Sequence, residues 1–234
     1  MKSSHDTDPV YAGMATMPGR MRTAGIAIRS LLPQVDRIIL YLDGFEQLPS
    51  FANHPKIEVI FSKDAPGLHA NGKLLGMINL PKNSYYLTAD DDYRYPRNFV
   101  SKLKNELLAN PSLTVVGVHG CKFQLPFHSY TKDRTVYTSW KPLRNTTMVD
   151  LVATCGTMHS LKKLQFDVRK WKVANQVDLH FAEEVKKVSG VVAVVPKRWF
   201  WMLPLDSNQK DSIFRKLKFN DRRQSELAKR IFQL

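Results

Sequence analysis

The chain has 234 residues, 43% of them hydrophobic and 24% charged. That composition excludes a disordered or fibrous protein and suffices for one good-sized core, with two small ones as the alternative. Two cysteines, Cys121 and Cys155, exclude a disulfide framework and a paired-thiol metal site. The formal charge of +14 favours polyanionic partners: nucleic acid, an anionic membrane surface, or phosphate- and carboxylate-bearing substrates.

In chain order the elements alternate. Val10 to Met17 reads as a strand, and PGRMRTAGIAIRSLLP carries Ile26, Ile28, Leu31 and Leu32 at spacings that suit a short helix closed by Pro33. Arg37 to Asp43 and Ile57 to Ser62 are β-branched runs. A helical patch follows over Lys73 to Asn79, then a fourth strand, Ser84 to Ala89. Pro96 suits a helix's first turn, and Phe99, Val100, Leu103, Leu107 and Leu108 recur at helical spacing. Leu113 to Gly120 returns to strand. In the second half, Arg134 to Trp140, Thr147 to Thr154 and Val191 to Lys197 read as strands, and Val177 to Val188 as a helix. Strands alternating with helices of this length predict an α/β fold with a largely parallel central sheet. From Asp206 onward eight Lys/Arg face four acids, with Ile213, Phe214, Leu217, Leu227, Ile231 and Phe232 at roughly helical intervals. This tail is expected to be a basic amphipathic helix or helix pair, packed on the domain or lying on a membrane surface.

The stretch YYLTADDDYRYP sets three carboxylates, Asp90, Asp91 and Asp92, directly behind a buried-strand pattern. In open α/β sheets, ligands bind outside the carboxyl ends of the strands. Acids there, without thiols or clustered histidines, suit a hard cation bound through oxygen, Mg²⁺ or Mn²⁺, which takes one or two protein carboxylates and bridges to substrate phosphates. The plainer reading is an exposed acidic turn capping the helix near Pro96.

These residues carry a resemblance. YYLTA followed by DDD and YP is similar to the Asp-x-Asp motif of nucleotide-sugar glycosyltransferases with the GT-A fold. ATMPGR…SLLPQVDRIILYLDGF, the NGK step at Asn71 to Lys73, VGVHGCKF, ATCGTMHS, VDLHFAEEV and VVPKRWFWM follow in the same order as in one group. That group is the α-N-acetylglucosaminyltransferase of heparosan-type bacterial capsule synthesis, resembled over roughly residues 10 to 203. HANGK lacks the acid expected shortly before the glycine.

The resemblance implies a single GT-A domain over 1–205, with a Rossmann-like sheet, a donor half (10–120) and a smaller acceptor-side half (121–205), then the tail at 206–234. It implies a retaining transfer of N-acetylglucosamine from a UDP-sugar to a glycan. Arg20 and Asp43 would line the uridine pocket, Lys73 would approach the diphosphate, and Asp90 the ribose or metal-bound water. Asp92 would be the direct metal ligand and His180 would complete the metal shell. Asp178, near the acceptor, and Asp91, beside the sugar, would be the catalytic carboxylates. For Lys73 the alternative is a solvated helix-face lysine, for Asp178 a helix N-cap, and for His180 a surface or core histidine.

On the acceptor side, His119, Gly120 and the segment containing Thr157 are candidates for close backbone approach to a sugar. Trp199 with Lys197 and Arg198 offers an aromatic face beside cations, a combination suited to a uronic-acid-containing acceptor. Cys155 has no visible base and is not read as a nucleophile. The opening MKSSHDTDP lacks a signal-peptide core, so a cytoplasmic protein is expected. Its basic charge would allow peripheral attachment to the inner membrane or to a partner glycosyltransferase. The competing functions are a basic nucleic-acid-binding α/β protein, for which no recognition motif is present, and a non-catalytic nucleotide-sugar-binding subunit of a polymerase assembly.

Overall fold

The computed structural model describes residues 7–171, 173, 176–206 and 220–234. Strands β1 (Val10–Thr16), β2 (Arg37–Leu42), β3 (Ile57–Phe61) and β4 (Tyr85–Asp90) pair in parallel in the order β3-β2-β1-β4. A two-residue strand β5 (Tyr93–Arg94) follows, then β6 (Val115–Gly117), β7 (Gly120–Phe123), β8 (Arg134–Tyr137), β9 (Thr147–Val149), β10 (Leu151–Val152), β11 (Gly156–Ser160), β12 (Val192–Val194) and β13 (Leu203–Pro204). Eight of these strands form the central sheet, β3-β2-β1-β4-β11-β6-β12-β9, in which β11 and β9 run against the others. The expected α/β class, a mostly parallel sheet flanked by helices with a smaller subregion, is what the chain adopts.

Period-two alternation explains why the sheet is covered on both faces. Ile38, Leu40 and Leu42 of β2 and Leu87 and Ala89 of β4 point to one side. There they meet α1 (Met21–Leu31) through Ala27, Ile28 and Leu31, and α2 (Phe99–Ala109) through Phe99, Val100, Leu103 and Leu107. Ile39, Tyr41 and Tyr86 point to the other side, against the 3-10 segment His69–Asn79 and α3 (Val177–Lys187). Each Leu or Ile so enclosed stabilises the fold by roughly 1.5–3 kcal/mol.

β7, β8 and β10 make a second, antiparallel sheet. Its residues Cys121 and Leu151 cluster with Leu179 and Ala182 of α3 and Leu227 and Ala228 of α4 (Arg222–Phe232). Of the expected tail, Leu227, Ile231 and Phe232 thus lie on or beside a packed helix face, whereas Ile213, Phe214 and Leu217 lie outside the described residues. No helix among the described residues is long and apolar enough to cross a membrane.

Two expected strands divide. Leu113 to Gly120 becomes β6, a break at Val118 and His119, and then β7 in the other sheet. Thr147 to Thr154 becomes β9 and β10, and the chain changes sheets at Asp150, whose carboxylate accepts from Phe123 N–H at 2.8 Å. The end of the segment Thr154 to Thr157, read as contacting a sugar, enters a further central strand, Gly156–Ser160, paired on both sides with β4 and β6. Its GTMHS sequence has little β-propensity, and two neighbouring strands override that weak preference.

Candidate functional site

The ends of β1, β2 and β4 open on one edge of the sheet. Ala15 is level with Asp90, and Thr16 with Leu42. The turn after β1, Asp43 after β2, and Asp91 and Asp92 after β4 therefore come together where the strand order reverses, at β1/β4, the switch point at which open α/β folds take ligands. Asp43 N–H donates to Thr16 O at 2.8 Å, and the Asp43 carboxylate lies 2.9 Å from His69 Nδ1.

The acidic turn is not an exposed helix cap. Asp91 is 2% exposed, and Arg20, in the 3-10 turn Pro18–Arg20, donates from Nη1 to Asp91 Oδ1 at 3.0 Å. Burial raises the Asp91 pKa, against the lowering effect of Arg20 and of Thr16, whose hydroxyl faces it without forming a proper hydrogen bond. Asp92 is pushed up to about 7, by burial first and then by Asp90 and Asp91, with Arg20 and Lys73 opposing. Asp91 Oδ2, Asp92 Oδ1 and Thr16 Oγ1 are buried without a hydrogen-bond partner among the described residues. Leu205 N–H closes over the turn by donating to Asp92 O at 2.7 Å.

Lys73 reaches this edge because two glycines let the chain lie flat. A Cβ on Gly72 would sit 2.2 Å from the Tyr41 ring, and one on Gly13 would sit 1.9 Å from Lys73 O. Only glycine allows backbone to press this closely on strands. Lys73 is consequently buried, not solvated, and its ammonium pairs with Asp90. Burial opposes its charge, but Asp90, with Asp178 behind it, more than offsets this and holds the Lys73 pKa above its ordinary value.

Asp178 stands in the first turn of α3, whose N-cap is Gln176. It caps nothing in its own helix. Its Oδ1 accepts instead from Thr154 N–H at 2.8 Å and from the Thr154 hydroxyl at 2.7 Å. Burial raises its pKa, against Thr154 and Lys73. Cys155, next to Thr154, is a buried thiol held well above its usual range by burial and by Asp90 and Asp178, so no thiolate nucleophile forms.

Beyond this lie the residues expected on the acceptor side. Gly120 is buried, with space for no side chain beside Leu151 O. His119 is pushed down to about 4 by desolvation, then by Arg134 and Lys197. Lys197 is buried, Arg198 is exposed and Trp199 is 55% exposed. Thr157 is fully buried within β11, its hydroxyl 2.6 Å from that of Thr88, and presents no surface to a ligand. His180 Nδ1 is 3.4 Å from Glu183 Oε2 and its ring rests on Trp171, while Nε2 is buried without a partner. No ion-pair contact joins it to Asp92.

No group of three or more His, Cys, Asp or Glu converges as a metal cage among the described residues. The partnerless oxygens of Asp91 and Asp92 fit a different donor set: one or two carboxylates for a hard cation whose remaining ligands come from water and phosphate.

Several site residues escaped the sequence reading. Tyr95 Oη accepts from Asp90 N–H at 2.8 Å and donates to Cys155 O at 2.9 Å, fixing the end of β4 against the loop that carries Thr154. Its signal was an aromatic residue three positions past the last carboxylate. Thr154 lay within a segment read for sugar contact, yet its hydroxyl serves Asp178. Arg134 had no signal at all.

No known family model matches the chain, and no curated protein matches it in sequence. Solved structures share the fold. A mycobacterial protein superposes with a TM-score of 0.52 at 14% identity, over 81% of this chain and 65% of its own, so this chain spans less than two thirds of that protein. The mannosyltransferase PcManGT from Pyrobaculum calidifontis, solved in complex with GDP-Man and Mn²⁺, superposes with a TM-score of 0.51 at 12% identity, over 95% of this chain and 70% of its own. At these identities the likeness establishes the fold.

Proposed function

We propose that the chain is a metal-dependent glycosyltransferase that moves a sugar from a UDP-sugar to a glycan acceptor. One observation carries the reading: two buried carboxylate oxygens, on Asp91 and Asp92, have no hydrogen-bond partner among the described residues, at the edge where open α/β sheets take ligands. Folding alone gives no reason to bury acids there at the cost of a pKa raised to about 7. A basic nucleic-acid binder would use the +14 charge but leaves those acids unexplained. The mannosyltransferase of the same fold, seen with GDP-Man and Mn²⁺, makes a nucleotide sugar and Mn²⁺ the first ligands to try.

Asp92, with Asp91 beside it, would hold Mn²⁺ or Mg²⁺, and that ion would supply charge neutralisation on the departing diphosphate. Arg20 holds Asp91 in place through its 3.0 Å contact and, with Asp43, borders the nucleotide. Lys73 pairs with Asp90 and orients it. Asp178, with Oδ1 fixed by Thr154, has its other oxygen available to bind the acceptor hydroxyl. In an inverting reaction it would take that proton; in a retaining one it would orient the hydroxyl. N-acetylglucosamine, retention, and a donor half and acceptor half within one domain belong to the same proposal. So does attachment of the basic chain to an anionic inner-membrane surface.

The test is calorimetric titration with UDP, with and without Mn²⁺, on the wild type and on Asp92→Ala. Mn²⁺-dependent UDP binding that the variant loses supports the assignment. Equal binding by a folded Asp92→Ala protein removes it. If UDP never binds and nucleic acid binds with steep salt dependence, the competing reading holds. UDP binding without transfer to any acceptor would leave a non-catalytic subunit.

A further inference from the structure

We propose that Asp221 and Ser225, at the start of α4, are positioning residues for the Asp178 side of the site, which they fix by holding the loop between β7 and β8 against α3. Their effect on transfer rests on the glycosyltransferase reading; the clamp itself does not.

Asp221 stands at the N-cap of α4, where an aspartate ordinarily accepts from the first N–H groups of its own helix. It makes no such bond. Its Oδ2 accepts instead from Thr131 N–H and from the hydroxyls of Thr131 and Ser129, each at 2.7 Å. One turn further on, the buried Ser225 hydroxyl accepts from Tyr130 N–H at 2.9 Å and donates to Asp221 O at 2.9 Å. Asp133 takes the two preceding loop donors, His128 N–H at 2.7 Å and Ser129 N–H at 2.8 Å. Four successive N–H groups of the loop are thus satisfied by side chains, and two of them depend on α4. Burial opposes the Asp221 charge, yet Thr131, Ser129 and Ser225 together hold its pKa below the ordinary value. The carboxylate is therefore ionised at neutral pH, and its bonds to the loop are charge-assisted.

The loop so held carries Tyr130 to Asp178. Tyr130 is buried in one cluster with Leu179 and Ala182 of α3 and with Leu227 and Ala228 of α4, and Leu179 is the chain neighbour of Asp178. Burial first, and then the Asp178 carboxylate, raise the Tyr130 pKa, against Arg134, whose guanidinium lies 4.2 Å from the ring centroid. α4 also grips α3 directly. Arg230 Nη2 donates to Glu183 Oε1 at 3.3 Å, and the Lys186 ammonium sits 5.3 Å from the Phe232 ring centroid. The first turn of α3 is thereby packed against the loop and α4, and this turn presents Asp178 to Thr154.

A latch that served stability alone would need only the apolar contacts of Leu227 and Ala228, and would leave Asp221 to cap its helix. Spending the cap carboxylate and a buried hydroxyl on loop N–H groups instead fixes where the Tyr130 backbone sits, and with it the wall beside Asp178. The acids proposed to hold the metal lie outside this clamp: Asp91 is held by Arg20, and the Asp92 carbonyl by Leu205 N–H. Loosening α4 should therefore disturb Asp178 and spare the donor side.

The experiment compares the full chain with Asp221→Ala, Asp221→Asn and Ser225→Ala. Glu226→Gln is the control, since Glu226 is exposed and pairs within α4 with Arg222. Circular dichroism checks folding. Amide hydrogen exchange reads Thr154 N–H, which reports the bond to Asp178, with the amides of β1 and β4 as internal reference. Calorimetry with UDP and Mn²⁺ reads the donor side, and UDP release from UDP-N-acetylglucosamine, with water as acceptor, reads kcat and donor KM. In Asp221→Ala, Thr154 exchange should rise about tenfold or more, as for loss of a charge-assisted contact, while β1 and β4 keep wild-type rates. The kcat for UDP release should fall about tenfold or more, with donor KM and UDP affinity unchanged to about twofold. Ser225→Ala should act in the same direction, and Asp221→Asn, which keeps one acceptor oxygen, should recover part of both effects. Unchanged Thr154 exchange in a folded Asp221→Ala protein overturns the proposal. So does faster exchange spread equally over β1 and β4, which a merely structural latch would give, and so does a loss of UDP release that lies in donor KM alone. For a wild type that binds UDP but releases none from the donor, the exchange result decides. If UDP itself fails to bind, the glycosyltransferase reading fails, and Thr154 exchange still decides whether α4 holds Asp178.

Discussion

The sharpest test of the site is the stability cost of Asp92. Its pKa lies at about 7, against an ordinary value of 3.8. Because the folded value is raised, the native state binds more protons than the unfolded chain between those two limits. Asp92 therefore destabilises the ligand-free fold increasingly as pH rises from about 4 through 7, and the cost is fully present above that. A shift of roughly three units corresponds to a ceiling of about 4 kcal/mol, and ~2 kcal/mol remains after discounting for solvent screening and for sharing among the neighbouring acids. Asp92→Asn keeps the shape and removes the charge. At pH 8 and without metal it should raise stability by ~2 kcal/mol, a Tm increase of roughly 4–8 °C for a chain of this size. At pH 4 it should match the wild type. Thermal unfolding at the two pH values, in chelator, measures the difference. With UDP and Mn²⁺ added, only the wild type should gain Tm through ligand linkage. An Asp92→Asn protein that is less stable than the wild type at pH 8 would refute the reasoning, because the carboxylate would then be a structural contributor.

Lys73→Met removes the cation between Asp90 and Asp178 and should cost about 3 kcal/mol, the low end for breaking a buried pair because Asp90 is partly exposed; urea unfolding reads this directly, and an unchanged midpoint would contradict it. The two neighbouring tryptophans should behave oppositely. Trp201 is 8% exposed, packs on Phe99 at 5.4 Å and donates from Nε1 to Asn98 at 3.1 Å, so Trp201→Ala should lose ~3 kcal/mol or more. Trp199→Ala should stay within about 0.5 kcal/mol in stability and, on the proposed function, raise KM for a glycan acceptor without changing KM for the donor.

Much of the fold was legible because its signals are local. The runs in β1, β2 and β4 are continuous apolar stretches of the kind a doubly covered parallel sheet requires, and α2 and α3 carry helical periodicity. What was illegible depended on tertiary pairing. GTMHS becomes a central strand because β4 and β6 flank it, and the run around Asp150 divides between two sheets with no break in its composition. The candidate site divides in the same way. The carboxylates and the Gly-Lys step announce themselves by residue type and spacing. Thr154, Tyr95 and Arg134 act through contacts 24, 60 and 13 residues away in sequence, with Asp178, Cys155 and Cys121, and no spacing rule reaches that far. Thr157 shows the converse: a hydroxyl beside a glycine looks like a ligand contact, but pairing on both sides of β11 turns it inward to Thr88.

The charges at this edge of the sheet also argue against a purely structural origin. Buried acids and buried bases within reach of one another pair when folding is the only constraint, because each pair relieves two desolvation costs together. Here Lys73 and Arg20 do pair, with Asp90 and Asp91. Asp92 and Lys197 do not pair among the described residues, although both act on the same Cys155 thiol. Keeping an unmatched acid and an unmatched base near one thiol without contact is costly for folding alone. A bound cation at the acid and a bound anion at the base remove both costs. A nucleotide sugar brought by a divalent metal, together with an acidic acceptor, supplies that pair of charges in the required places, whereas a nucleic acid supplies only the anion and would leave Asp92 uncompensated.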